Sequence, residues 1–276
     1  MKTVFREILH EGLKQEVSIK KVLVEKKSLY QKIQIFDTKV YGRILVLDGI
    51  IQITEKDEAA YSEMLVHPAI KILKNLKEVL IIGGGDGAVA EEVLKYNFIK
   101  RIDLVDIDEE VVKLSKKYFK KINKNSLIDK KVKLYFEDAF NFTSKTKNKY
   151  DLIIADRPDP VGAGKTLFKR QFYKNVNNIL RKDGVAIFQS GVTFLQEKET
   201  KNVLKSVKGT FKKSGVMLTV VPSYIGGFMA LVWGSKTIDM INGEIVKGRK
   251  KIKTSYYNEE IRKASLYAPN FIKLIL

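Results

Sequence analysis

The chain has 276 residues, 45% of them hydrophobic and 30% charged, enough to bury a substantial core as one large domain with or without a small appendage. It has no cysteine and only two histidines, His10 and His67, which excludes disulfides and thiolate metal centres and leaves no basis for a zinc site, so no metal is expected. A formal charge of +19 would suit a polyanion binder, yet Lys113, Lys116, Lys117, Lys120, Lys121 and Lys124 would spread around a helix instead of forming one stripe, and nucleic acid is not the expected partner.

The first residues, MKTVFREILHEGLKQEV, carry charges throughout and do not resemble a signal peptide. No later run reaches the roughly 20 apolar residues that cross a bilayer, so a cytoplasmic protein without membrane contact is expected. The segment VLVEKKSLYQKIQIFDT alternates apolar and polar residues, and RILVLDGIIQIT is rich in β-branched residues around an Asp48-Gly49 turn. Period-two patterning with such a turn predicts a small antiparallel β domain over residues 1–54. A helix follows in EKDEAAYSEMLVHPAIKIL, interrupted or bent at Pro68.

From Glu78 the pattern changes. Short apolar runs (EVLIIGG, RIDLVDID, VKLYFED, YDLIIAD, GVAIFQS) alternate with helical segments such as AVAEEVLKY and EEVVKLSKKYF. Strands buried on both faces read this way and belong to a parallel sheet. TVVPSY and FMALVWGSK are expected to close that sheet as an antiparallel hairpin. The predicted fold class is α/β: a Rossmann-like, class I methyltransferase-like, mainly parallel sheet over residues 55–276, preceded by the small β domain.

In VLIIGGGDGAVAEEVL the glycines lie where the first of these strands passes into a helix. Gly83, Gly85 and Ala88 form a degenerate version of the pyrophosphate-binding G-x-G-x-x-G pattern. Asp86 argues against pyrophosphate, because a carboxylate in the loop repels an anion and attracts an ammonium or sulfonium. Asp106 ends the second strand, where an acid accepts hydrogen bonds from ribose hydroxyls, and Asp138 ends the third, placed for an adenine amino group. A glycine loop, a ribose acid and an adenine acid on successive strand ends describe a nucleoside without phosphates, such as S-adenosylmethionine or a relative. Each acid alone is also an ordinary helix cap or strand end. The fourth strand ends in DLIIADRPDPVGAGKTLF, where Asp156 and Asp159 could hold a di-cationic amine and remove its proton, or simply make a turn.

The chain resembles the spermidine synthase (polyamine aminopropyltransferase) family over nearly its whole length, and its bacterial members best. The resemblance is carried by YGRILVLDGIIQITEKDEAAYSEMLVHP, VLIIGGGDGA, the DxxDPxGxGxxLF stretch from Asp156 to Phe168, FQSGVTFLQEKE, VPSYIGGFMALVWGSK and YYNEEIRKASLYAPNF. It implies aminopropyl transfer from decarboxylated S-adenosylmethionine, a co-substrate and not a resident cofactor, to putrescine, giving spermidine and methylthioadenosine. Cadaverine, agmatine or spermidine as acceptor, and S-adenosylmethionine-dependent methyl transfer, are the alternatives. By position, Gln31, Gln52, Gly83, Gly85, Asp86, Asp106, Asp138 and Ala139 would line the nucleoside pocket, and Tyr61 would pack near the transferred group. Asp156 would be the general base, and Asp159 and Tyr224 would hold the acceptor. The family also implies a homodimer or homotetramer. Departures from its pattern are Arg157-Pro158 between the two aspartates in place of small hydroxyl residues, Ser62 for a His or Gln, Asp106 for Glu, and Arg262 for His. Arg157 is expected to point outward or to pair with an acid. Lys165 and Lys169 suit a mobile cover, with Gly162 and Gly164 supplying flexibility. Trp233 and His67 are expected in the core, Tyr256, Tyr257 and Phe271 at packing or subunit contacts, and His10 at the surface.

Overall fold

In the computed structural model, which describes residues 3–157, 162–249 and 251–276, the period-two segment forms a five-stranded antiparallel sheet of consecutive neighbours. Its strands are β1 (Val4–His10), β2 (Leu13–Lys27), β3 (Lys32–Thr38), β4 (Arg43–Leu47) and β5 (Ile50–Thr54). The predicted Asp48-Gly49 turn joins β4 to β5, with φ of 49° and 82° at the two positions. Both lie in the left-handed region that a tight hairpin requires. Helix α1 (Glu58–Ile70) runs through Pro68 and ends two residues later, so the proline falls in the last turn and does not divide the helix.

The second sheet has seven strands: β6 (Glu78–Gly83), β7 (Arg101–Asp106), β8 (Val132–Phe136), β9 (Tyr150–Asp156), β10 (Leu180–Val192), β11 (Lys213–Val220) and β12 (Phe228–Ser235). Their spatial order is β11-β12-β10-β9-β6-β7-β8, parallel from β10 to β8, with β12 and β11 added antiparallel. Helices α2 (Ala88–Leu94), α3 (Glu109–Tyr118), α4 (Lys120–Asn123), α5 (Ala139–Lys145), α6 (Arg170–Ile179), α7 (Glu197–Lys208), α8 (Glu259–Ser265) and α9 (Asn270–Lys273) complete the chain. The final hairpin begins earlier than expected: KSGVMLTV is the strand, while Val221 to Tyr224 turn. Gly215 hid it, since a glycine breaks an apolar run, but here it makes room for the Trp233 ring, which a Cβ would meet at 2.7 Å.

Burial on both faces accounts for the unbroken apolar runs. Along β6, Val79 and Ile81 join a core under α1 and α2, whereas Leu80 and Ile82 join a second core with α5, α6 and α7. Trp233 lies in the first of these, 1% exposed. Ile33, Ile35, Leu45 and Ile53 of the antiparallel sheet pack on Ala88, Val111, Phe119 and Ile122. Each such side chain taken from water is worth about 1.5–3 kcal/mol, enough to hold the small sheet over the carboxyl ends of β6 and β7. Strand order reverses between β6 and β9, and a crevice opens there, as is general in open α/β sheets.

Candidate active site

A cavity of about 260 Å³ fills this crevice. At its floor the end of β6 lies beside the end of β9, Gly83 opposite Asp156. A Cβ on Gly83 would stand 1.9 Å from the Asp156 carbonyl oxygen, and one on Gly85 would stand 2.5 Å from Asp106 Oδ2. The glycines are therefore required by the close approach of strand ends, and they leave backbone open to a ligand. Gly85 N–H donates to Asp106 Oδ2 at 3.0 Å, and Asp108 N–H donates to Oδ1 at 2.9 Å. Asp86 accepts the Ala88 N–H at 2.7 Å at the start of α2, and Asp138 accepts the Phe140 N–H at 2.7 Å at the start of α5.

Helix α1 aims Tyr61 into the cavity, where its hydroxyl donates to Asp156 Oδ1 at 2.7 Å. The Tyr224 ring meets the Tyr61 ring edge-on at 6.3 Å, and the Tyr224 hydroxyl donates to the Gln52 carbonyl. Gln31 donates from Nε2 to Asp108 Oδ2 at 2.9 Å, an oxygen that also receives the Ser28 hydroxyl at 2.6 Å. Asp108 is thus a bracing acid and the cap of α3. All the residues expected in the site line this one cavity, Asp159 excepted, which lies outside the described residues.

The acids are crowded and short of cations. Burial, then the neighbouring Asp86 and Asp106, push the Asp156 carboxyl up to about 7, against the lowering effect of the Tyr61 hydroxyl. Burial raises Asp106 to about 6 and raises Asp86 as well. Burial and Asp156 hold the Tyr61 hydroxyl protonated, so that it donates. A cationic ligand would relieve this repulsion and favour the ionised acids. Among the described residues no cluster of acids and histidines has the arrangement of a metal site, and no helix is long and apolar enough to cross a membrane.

Two expectations, those for His10 and Arg157, are corrected. His10 is half-buried and lines the cavity, because the β1–β2 hairpin carries it over the crevice. Arg157 does not point outward, and among the described residues it pairs with no acid: it is 2% exposed, and its guanidinium donates to the carbonyls of Leu167 and Gln189 and to the Tyr173 hydroxyl. Phe271 is half-exposed, against the ring of Phe194. Ser62 is buried and donates to Glu58 Oε2 at 2.7 Å, and Arg262 pairs with Glu259 at 2.9 Å. His67 is buried away from the cavity against Tyr96 and Tyr257, as expected of a structural histidine. The first strand supplies two residues that sequence reasoning passed over, Glu7 with His10. Glu7 is 6% exposed and accepts the Ile51 N–H at 2.7 Å and the Gln15 amide at 3.1 Å. Its place two residues after the buried Phe5 was the available signal.

The family description "Spermine/spermidine synthase domain" matches residues 58–242, and "Spermidine synthase tetramerisation domain" matches residues 3–55. The polyamine aminopropyltransferase of Buchnera aphidicola subsp. Schizaphis graminum is 40% identical over 274 residues, 98% of this chain and 96% of that protein. The crystal structure of a spermidine synthase in complex with the transition state analogue AdoDATO superposes with a TM-score of 0.95 at 32% identity, covering 99% of this chain and 94% of that one. Spermidine synthase from Thermotoga maritima gives 0.93, also at 32% identity and covering the same shares of the two chains. The chain belongs to the spermine/spermidine synthase family.

Proposed function

We propose that the cavity transfers the aminopropyl group of decarboxylated S-adenosylmethionine to putrescine, yielding spermidine and methylthioadenosine. The observation that carries this reading is the convergence of Asp86, Asp106 and Asp156 in one cavity with no basic side chain paired to them among the described residues. Such a site suits a sulfonium nucleoside and an amine, and disfavours a co-substrate bearing a carboxylate. Asp106 holds the ribose, and Asp138 with Ala139 the adenine. Gln31 and Gln52 complete the nucleoside wall. Asp86 attracts the positive end of the co-substrate, and Tyr224 with Asp159 holds the acceptor.

Asp156 takes a proton from the acceptor ammonium. The freed nitrogen lone pair attacks the carbon bonded to sulfur, the C–S bond breaks, and its electrons return to sulfur as a neutral thioether. A base with a pKa near 7 suits this step at neutral pH, and holding the two cations in line supplies much of the remaining acceleration. Tyr61 orients the carboxylate. The chain is assigned to the cytoplasm and to a homodimer or homotetramer. Support for assembly comes from the tetramerisation match and from exposed Ile8, Leu29 and Val40 on and beside the first sheet.

Incubation with decarboxylated S-adenosylmethionine and a panel of amines tests the reading. Methylthioadenosine release is expected fastest with putrescine. No release with any amine would overturn the reaction, and faster release with another amine would overturn the acceptor.

A further inference from the structure

Arg157 follows the proposed base directly, where the family resemblance leads one to expect a small hydroxyl residue. Its guanidinium is buried, yet no carboxylate among the described residues bonds it. Nε and Nη2 each donate to the Gln189 carbonyl at 3.3 Å, Nη2 also donates to the Tyr173 hydroxyl at 3.0 Å, and Nη1 donates to the Leu167 carbonyl. The ring of Phe168 stacks on it at 3.8 Å, and those of Tyr173 and Phe188 lie at 5.5 and 5.7 Å. Carbonyl dipoles and ring faces therefore take the place of a counter-ion.

These contacts join three elements: the end of β10 at Gln189, the 3-10 turn through Leu167 and Phe168, and α6 at Tyr173. Two of them reach the ligand space. Gly164, Leu167 and Gln189 line the cavity, and Gln189 Oε1 is buried there without a hydrogen-bond partner among the described residues. Leu167 packs in the same cluster as Ala139, on the side assigned to adenine. The charge that could have opposed the amine is directed into protein, and its planar fork is spent on the wall.

We infer that Arg157 is a positioning residue: by tying Leu167 and Phe168 to the end of β10, it sets the wall of the nucleoside pocket. The inference rests on the proposed transfer site. A lysine has one donor centre in place of a planar fork and cannot make these bonds together. Calorimetric binding of methylthioadenosine, which needs no turnover, is expected to weaken about 10-fold in Arg157→Ala and nearly as much in Arg157→Lys, with the KM for decarboxylated S-adenosylmethionine rising in parallel and kcat changing by less than about 3-fold. Endoproteinase Lys-C should cut faster after Lys165 and Lys169. A merely structural role would lower the melting temperature and the active fraction but leave affinity per folded molecule unchanged. Should Arg157→Ala fail to fold, Phe168→Leu removes only the stacked ring and is expected to weaken binding about 3-fold. Unchanged affinity in the folded variants overturns the inference while the transfer reading stands. A wild type that binds no nucleoside overturns both.

Discussion

Two groups of acids lie on either side of helix α1, and they differ in what surrounds them. Away from the cavity, Glu92 bonds His67 at 2.8 Å and Lys95 at 2.6 Å, Glu91 bonds Lys124 at 2.6 Å, and Glu63 accepts the N–H groups of Ser255, Tyr256 and Tyr257 at 2.7, 2.9 and 2.6 Å. In the cavity, Asp156 accepts one tyrosine hydroxyl and faces two further acids. The first group is satisfied within the fold and fastens the C-terminal segment to α1. The second accepts N–H groups and one hydroxyl but has no cation beside it among the described residues, so its charge is left for a ligand to balance. Buried acids thus mark function here where they crowd together with no cation, and structure where cations pair with them or where they fasten a segment.

The comparison breaks most readily at Asp156. Asp156→Asn should lower the rate about 1,000-fold, the range expected for losing a positioned base, while nucleoside binding changes little. Near-normal turnover would remove Asp156 from its proposed role. The same variant should be the more stable one in the absence of ligand. A folded carboxyl near 7 holds its proton to higher pH than the unfolded one does, so folding takes up a proton between about pH 4 and 7. The cost is absent below that window and complete above it. Thermal melts at pH 8 should show Asp156→Asn gaining on the order of 1–2 kcal/mol, a figure discounted for partial solvent access. No gain would mean that the cavity acids are not in conflict.

Glu63 sharpens the same contrast from the other side. Glu63→Ala strips three N–H groups, that of the buried Tyr257 among them, of their acceptor, each loss costing about 1 kcal/mol. Denaturant melts should show a loss of about 2–3 kcal/mol, with KM for both substrates unchanged in the folded fraction. A changed KM at full stability would make this group part of the site. Lys-C digestion would show whether residues after Lys251 loosen first.

The parallel sheet was legible because its signals are local. Strands buried on both faces read as unbroken apolar runs, and Gly83, Asp86, Asp106, Asp138 and Asp156 each stand where such a run ends. The first sheet was legible as a sheet from its alternation and its Asp48-Gly49 turn. Its part in the cavity was not, because Glu7 and His10 arrive through a hairpin folded over a crevice that residues 70 or more positions away create. Arg157 misled for a related reason. A charged residue in a Pro/Gly loop reads as solvated, and nothing local announces three aromatic rings and two carbonyls waiting in the interior. Gly215 concealed a strand because its small size serves Trp233, a partner on the neighbouring strand.

The smaller of the two expected effects on the acid–base step belongs to Tyr61, and it separates holding a base from being one. The hydroxyl stays protonated beside Asp156 and lowers the carboxyl against the push of burial and Asp86. Tyr61→Phe removes that bond and leaves the ring against Tyr224, so the cavity keeps its shape while Asp156 rises further. In the free enzyme kcat/KM should climb with pH as Asp156 loses its proton, levelling above about 7 in the wild type. In Tyr61→Phe the climb should move to higher pH. The loss should be about 10-fold at pH 7 and shrink toward pH 9, where both carboxylates are ionised. A loss that stays constant across the pH range would mean that Tyr61 contributes packing alone, and that the carboxylate needs no hydroxyl to keep it ready.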